Sequence, residues 1–433
     1  MFYFIGIKGT GMASLASILY DLGNDVAGSD LDKHFFTEDS LRERNIPIYS
    51  FNPSNIKDNM TVIIGNAFLD DFEEAVAARN NPTCKCYRYH EYLGLLMKDY
   101  TSVCIAGSHG KTTTTTLCKN VLSNFKRTGF LIGDGTGHIE QNSEYLCVEA
   151  DEFRRHFIKY FPEFAIITNI EIDHVDYFKD EIDYFNAYQE FVNQVSNCVF
   201  FHGDDEWCNK LSIPSKSYSF GLSKKNFYHV DNYISNSSYS EFDLIKDNQF
   251  VYHYKLPMVG DHLIIDVLGV ISLADYLHFD HSEIEKSLSV YHGPKRRFVV
   301  EEFKNTIFVD DYAHHPTEVK VTLQAAKKRF PDKKIIAIFK PHRASRVKYF
   351  VNEFKDALSI ADEIFLLDFT SIDDKQDGTN IDISYLANII PNSKILSEDE
   401  IGAKILSNYK NECLVFMSSK DIYNLANITK KFI

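Results

Sequence analysis

The stretch "VCIAGSHGKTTTTT", residues 103–116, sets two glycines, a serine, a histidine and a lysine between a short apolar run and five threonines. Gly107, Ser108, His109 and Gly110 allow the backbone to curl so that successive N–H groups face one anion, and a following helix would add its positive end. Lys111 supplies a mobile positive charge for β- and γ-phosphates, and Thr112 a hydroxyl for Mg²⁺. β-Branched threonines are poor helix builders. At a helix start the hydroxyls of Thr112, Thr113 and their neighbours satisfy free N–H groups or reach phosphate. The general phosphate-loop pattern carries a glycine where Ile105 stands.

Two apolar runs end in metal-binding residue types. "YLCVEADE" closes on Glu149, Asp151 and Glu152, and "FAIITNIEIDHVDYF" carries Asn169, Asp173, His174 and Asp176. Oxygen-rich strand ends beside a phosphate loop suit Mg²⁺ with substrate phosphates, although a single acid at such a place also serves as a helix cap. Near the N-terminus, Gly6, Gly9 and Gly11 follow an apolar strand at 3–7. Leu15, Leu19 and Leu22 then share one helix face, Gly23 suits the helix end, and Asp30 lies 19 residues beyond Gly11. The pattern is close to a dinucleotide-binding turn, but Ser14 occupies the third glycine position. Six of the twelve arginines fall in three pairs, Arg154 with Arg155, Arg296 with Arg297, and Arg343 with Arg346. Such pairs either build anion sites or are solvated surface charge.

These residues require strands that deliver loops to one edge. Three α/β units are predicted, opening at "YFIGIKGTGM", at the phosphate loop and at "NTIFVDDYAHHPTE", with boundaries giving 1–97, 98–293 and 294–433. Alternating strands and helices imply mostly parallel sheets. The β-rich stretch 227–256 reads as hairpins attached to the middle unit. A net charge of −15 argues against general nucleic-acid binding. No run of 18 apolar residues is present, so no membrane span is expected. The first residues lack a signal-peptide pattern. Eight scattered cysteines, with only Cys84 and Cys86 in C-x-C spacing, suggest reduced thiols and a cytoplasmic protein.

Taken in order, "FIGIKGTGM", "GSD", "GSHGKTTT", "EADE", "TNIEIDH", "KRRF", "DDYAHHPTE" and "PHRASR" resemble the Mur ligase family of ATP-dependent amide ligases over essentially the whole chain. "FRRHF" after "EADE" resembles one branch of its alanine-adding enzymes. The resemblance implies a Rossmann-like N-terminal domain, a P-loop central ATPase domain and a Rossmann-like C-terminal domain. It implies ATP on residues 107–113, and Mg²⁺ held by Thr112 and Glu149 with a second metal near His174. A UDP-sugar would lie against Gly9, Thr10, Gly11 and Asp30. Tyr312, His314, Arg343 and Arg346 would hold the muramate and alanine parts, with Arg297 near the nucleotide. The implied substrates are UDP-N-acetylmuramate, L-alanine and ATP, in a monomer or homodimer. His314 or its neighbour His315 would take the amine proton, and domain closure would exclude water. His262 and Asp266 align with residues expected near adenine, but Asp266 stands where the family usually has asparagine. Ser418, Ser419 and Lys420 replace a glycine-rich turn. Alternatives are a ligase attaching a preformed peptide to the same sugar, a folate-type glutamate ligase, a non-catalytic UDP-sugar-binding homologue, and a dinucleotide-dependent oxidoreductase, which would explain the first unit alone.

Overall fold

The computed structural model describes residues 1–236, 238–291, 296–369 and 378–433. The 293/294 boundary and Lys295 of "KRRF" lie outside the described residues. Two compact units are present. The first holds residues 1–171 and 182–291, the second 172–181 and 296–433. Residues 172–181, inside the span 98–293 expected for the middle domain, pack with the C-terminal unit instead. Side-chain pairing described below explains this excursion.

The first unit carries two sheets. One has the order β3-β2-β1-β4-β5, with β1 Phe2–Ile5, β2 Val26–Ser29, β3 Ile48–Tyr49, β4 Thr61–Ile64 and β5 Lys85–Arg88, all parallel. The β1 strand stops at Ile5, short of the expected end, because Gly6 turns the chain at φ +82°. The helix Thr10–Asp21 buries Leu15, Ile18 and Leu19, and the left-handed Gly23 closes it by donating to the Tyr20 carbonyl. Strand order reverses between β1 and β4, which opens a crevice at their carboxyl ends.

The other sheet has ten strands. Its parallel centre is β12-β11-β10-β6-β9-β7, with β6 Thr101–Ala106, β7 Thr128–Leu131, β9 Tyr145–Glu149, β10 Phe164–Ile167, β11 Cys198–His202 and β12 Lys216–Phe220. A short β8, Gly137–His138, pairs antiparallel at one edge. At the other edge β13 Tyr228–Ser235, β14 Ser240–Lys246 and β15 Gln249–Leu256 form the expected hairpins, and they extend the sheet through one bridge, Phe220 to Tyr228. The helices Lys111–Phe125 and Asp261–Tyr276 pack Leu117, Val121, Ile264, Val267 and Ile271 into this core. Six of the cysteines are buried and all eight are free thiols.

The second unit has a six-stranded sheet, β16-β17-β21-β18-β19-β20, with β16 Val299–Phe303, β17 Thr306–Asp311, β18 Ile335–Phe339, β19 Glu363–Leu366, β20 Ser393–Ile395 and β21 Cys413–Met417. All pairs but β16–β17 are parallel. Ile336, Ile338, Leu414 and Phe416 fill its core. No helix among the described residues is long and apolar enough to cross a membrane.

Candidate active site

The phosphate loop leaves the end of β6. Gly107 sits at φ +148°, and a Cβ there would overlap the Thr168 hydroxyl. Gly110 sits at φ +81° and starts the helix Lys111–Phe125 with no side-chain cap, so the first N–H groups of that helix are not claimed by its own neighbour. The residues after β10 brace the loop. The His109 N–H donates to Asn169 Oδ1 at 2.9 Å, and the Thr168 hydroxyl donates to the His109 carbonyl at 2.6 Å. The Ser108 hydroxyl donates to the Glu171 carbonyl at 2.6 Å, and His109 Nε2 lies 3.1 Å from the Glu171 carboxylate. Asn169, read from sequence as a metal-site candidate, thus shapes the loop.

Lys111 Nζ donates to the carbonyls of Gly107 at 2.5 Å and Ser108 at 3.2 Å, and pairs with Glu152 at 2.8 Å. Burial disfavours the ammonium, but Glu152, Glu149 and Asp151 outweigh it and hold its pKa above the ordinary value. Burial pushes the Glu152 carboxyl up to about 7, against the pull of Lys111. The Thr112 hydroxyl donates to Glu149 Oε1 at 3.1 Å, and the Gly133 N–H holds the other Glu149 oxygen at 2.7 Å. A hydroxyl and a fixed carboxylate are hard oxygen donors, and together with phosphate oxygens they fit Mg²⁺. The later threonines behave differently from the expectation. Thr115 and Thr116 donate to carbonyls four residues back, at 2.8 Å each, rather than serving the helix start. Asp266, expected near the base, is buried against the loop itself. A Cβ on Gly110 would fall 2.5 Å from its Oδ1. His262 is exposed one turn earlier.

On the first sheet Gly9 caps the helix Thr10–Asp21 through backbone alone, and Thr10 is exposed at its first turn. The Tyr89 ring closes on Gly11, where a Cβ would fall 2.6 Å from it. Asp30 accepts from the Lys8 and Leu31 N–H groups at 2.7 Å each. A cavity of about 170 Å³ opens beside it, lined by Lys8, Asp30, Glu38, Arg42 and Tyr49 among others. Lys8 pairs with Glu38 at 3.0 Å and both are buried. Sequence reasoning passed over this pair, although Lys8 lies inside the glycine turn and was therefore within reach.

In the second unit Arg346 is buried and gives its fork to Asp173, Nε to Oδ1 at 2.7 Å and Nη2 to Oδ2 at 3.0 Å. Burial would raise the Asp173 carboxyl, but Arg346, His174 and His315 hold it well below its usual range. Arg343, at φ +66°, pairs with Asp176. Both family-type arginines therefore meet carboxylates of the segment 172–181, which ties that segment to this unit. His174 is in the same segment at φ +52°, its N–H on Asp173. His314 Nδ1 lies 3.0 Å from the Tyr312 carbonyl and 3.1 Å from Glu318. His315 is buried, and its side chain caps the helix Pro316–Arg329 by accepting from Thr317 N–H. Arg297, expected near the nucleotide, stacks over Tyr312 at 5.0 Å and reaches Glu318 at 3.4 Å.

One unit thus presents a lysine-bearing anion loop with hard oxygen donors, and the other a guanidinium and imidazole group suited to a carboxylate and an amine. Models of known families match along the chain: the Mur ligase family catalytic domain at residues 1–101, the Mur ligase middle domain at 105–274 and the Mur ligase glutamate ligase domain at 296–416. Among solved structures, a UDP-N-acetylmuramate–alanine ligase from Thermotoga maritima is similar at 26% identity and TM-score 0.80, covering 100% of this chain and 98% of that one. A murein peptide ligase from Psychrobacter arcticus shares 21% identity at TM-score 0.74, covering 100% and 98%. A MurF ligase from Thermotoga maritima, solved with ADP, shares 16% identity at TM-score 0.65, covering 94% and 95%. The last two likenesses speak for the fold. With all three domain models in order along one chain, the protein belongs to the Mur ligase family of ATP-dependent ligases.

Proposed function

We propose that the protein joins L-alanine to the carboxylate of UDP-N-acetylmuramate with ATP, through an acyl phosphate, in peptidoglycan precursor synthesis. The observation that carries this reading is the phosphate loop with Lys111 held on Glu152, in a chain similar end to end to an alanine ligase. A carboxylate does not react with an amine because oxide is its leaving group. Its oxygen therefore attacks the γ-phosphorus, ADP departs, the amine attacks the acyl carbon, and phosphate leaves. The first step brings anions together, so positioning and charge neutralisation dominate.

Lys111 supplies charge by moving from Glu152 to the γ-phosphate. Glu152, with a carboxyl near neutrality, is an easily surrendered partner. Mg²⁺ held by Thr112, Glu149 and the phosphates would further neutralise the transferring group. The Gly9–Gly11 turn and Asp30 receive the UDP part. Arg343, once off Asp176, takes the alanine carboxylate, whereas Arg346 remains on Asp173 and fixes the segment carrying His174. His314 accepts the amine proton, since the His315 ring serves the helix cap. The test is Mg²⁺-dependent release of ADP and phosphate. Turnover is expected with UDP-N-acetylmuramate and L-alanine together. Turnover with a murein tripeptide and none with alanine would make the protein a peptide ligase; no turnover with either would leave a binding homologue.

A further inference from the structure

Two residues after Glu152, past Phe153, the chain places two consecutive non-glycine residues in left-handed backbone, Arg154 at φ +50° and Arg155 at φ +58°. Side chains with a Cβ are strained there, and such strain persists only where the surroundings impose it. Here they do. Arg155 Nη1 meets Glu190 at 2.9 Å, and Nη2 meets the Asp183 carboxylate at 2.6 Å and its carbonyl at 3.0 Å. His156 is buried and stacks on His90, with ring centroids 4.5 Å apart and 14° between planes. Asn66 joins both rings, at 3.2 Å from His156 Nδ1 and 3.1 Å from His90 Nδ1. The residue on the other side, Glu152, is buried on Lys111. Of residues 152–156 Arg154 alone is exposed, and it makes no ion pair among the described residues. Its guanidinium lies 5.2 Å from the Phe153 ring, which in turn packs edge-on to His156.

The turn occupies a particular place within the first unit. On one side it follows β9, which ends on Glu149, the partner of Thr112, and it adjoins Glu152, the partner of Lys111 in the phosphate loop. On the other it reaches Asn66, just past β4, and His90, next to the half-buried Tyr89 that closes on Gly11. It therefore spans from the phosphate loop to the glycine turn of the first sheet. A sugar nucleotide anchored at the glycine turn and phosphorylated at the loop must cross it. Such a substrate carries a diphosphate and a carboxylate, and the local residues Glu149, Asp151 and Glu152 are acids that would repel both. An arginine fork without a carboxylate partner is suited to either oxyanion.

We infer that Arg154 binds an oxyanion of the acidic sugar nucleotide, and that the strained turn exists to present it. This rests on the substrate class proposed above. The experiment measures Kd by calorimetry for UDP-N-acetylmuramate, for UDP-N-acetylglucosamine, which lacks the lactyl acid, and for ATP. The proteins are wild type, Arg154→Ala, Arg154→Lys and Arg154→Gly. Ala and Gly are expected to weaken UDP-N-acetylmuramate by about ten-fold or more, as loss of a charge-assisted bond does, with Lys between them and wild type and ATP binding within about two-fold. The Gly variant relieves the left-handed strain, so its melting temperature should match or exceed that of wild type. An equal loss for UDP-N-acetylglucosamine assigns the diphosphate, and a loss confined to the acid assigns the carboxylate. A Gly variant that binds UDP-N-acetylmuramate as wild type does overturns the inference. Wild-type protein that fails to bind UDP-N-acetylmuramate overturns the substrate class itself, and this inference with it.

Discussion

Two ion pairs, one in each unit, hold a cation that the family pattern marks for chemistry, and they are built differently. Lys111 meets Glu152 as a point charge on a flexible stem, and its partner is a carboxyl that burial has raised to about 7. Arg346 meets Asp173 through a planar two-bond fork, and its partner is a carboxyl held well below the usual range. A carboxylate near neutrality gives up its cation readily, and one held strongly ionised does not. In the proposed reaction the first pair is a placeholder for phosphate, whereas the second is a clamp on the segment 172–181. The pattern "PHRASR" marks two arginines alike, but the Arg346 side chain is 2% exposed and that of Arg343 15%, and it is Arg343 that the proposed reaction has exchange its carboxylate for that of alanine.

The largest effect is expected from breaking the clamp. Arg346→Ala leaves Asp173 buried without its partner, which costs about 3–5 kcal/mol and should appear in denaturant unfolding. The pair is also pH-linked. Because the folded carboxyl of Asp173 is depressed, its stabilisation is present above the unfolded carboxyl range, near 3.9, and is lost as pH falls through the folded value. Wild type should therefore lose stability on acidification below about pH 4, and Asp173→Asn should show less of that slope. If Arg346→Ala unfolds like wild type, the clamp is no clamp.

Next comes the placeholder. Lys111→Ala should lower kcat by about a hundred- to a thousand-fold, the usual size for one preorganised charge at a transition state. Stability should change far less than in Arg346→Ala, since Glu152 can remain protonated. A variant that unfolds but keeps its specific activity would reverse the two roles. Arg343→Lys sharpens the comparison further, keeping the charge and removing the fork. It should raise the KM for L-alanine by about ten-fold, the size of one lost hydrogen bond, with much less effect on the UDP-sugar; an unchanged KM for alanine would move the amino-acid site elsewhere.

The smallest effect concerns Glu152. Its folded pKa lies above the unfolded one, so the folded state holds the proton more tightly between about 4.5 and about 7. The stability it contributes is present at low pH and declines as pH rises through that window. Wild type should thus lose melting temperature relative to Glu152→Gln between pH 5 and about 8, where the unfolded carboxyl is already ionised. A difference independent of pH would mean that Glu152 is ionised throughout.

How much of this could be read beforehand follows from how local each feature is. The phosphate loop is one contiguous stretch, and its chemistry is written in glycines, a lysine and a threonine; the curled backbone at Gly107 and Gly110 follows from that. The three α/β units were legible because strand and helix periodicities persist through each sheet. The partners of the cations were not. Asp173 and Arg346 are 173 positions apart, and nothing in "TNIEIDH" says that this short segment leaves its neighbours for the other unit. Asp266 was placed by alignment with a helix position, whereas its burial against Gly110 depends on how the helix Asp261–Tyr276 lies on the loop. Threonine hydroxyls were assigned to the helix start by composition, but Thr115 and Thr116 lie far enough inside the helix to turn back on it. The left-handed pair Arg154 and Arg155 had no sequence signal beyond the adjacency of two arginines.

The most direct test of the account follows the oxygen atoms. UDP-N-acetylmuramate labelled with ¹⁸O in its carboxylate is turned over with ATP, Mg²⁺ and L-alanine, and the released phosphate is analysed by mass. If the carboxylate oxygen attacks the γ-phosphorus at the Lys111 loop, one labelled oxygen leaves with phosphate and the other stays in the amide. Phosphate free of label, with amide formed, would contradict the acyl phosphate and with it the role given to the loop.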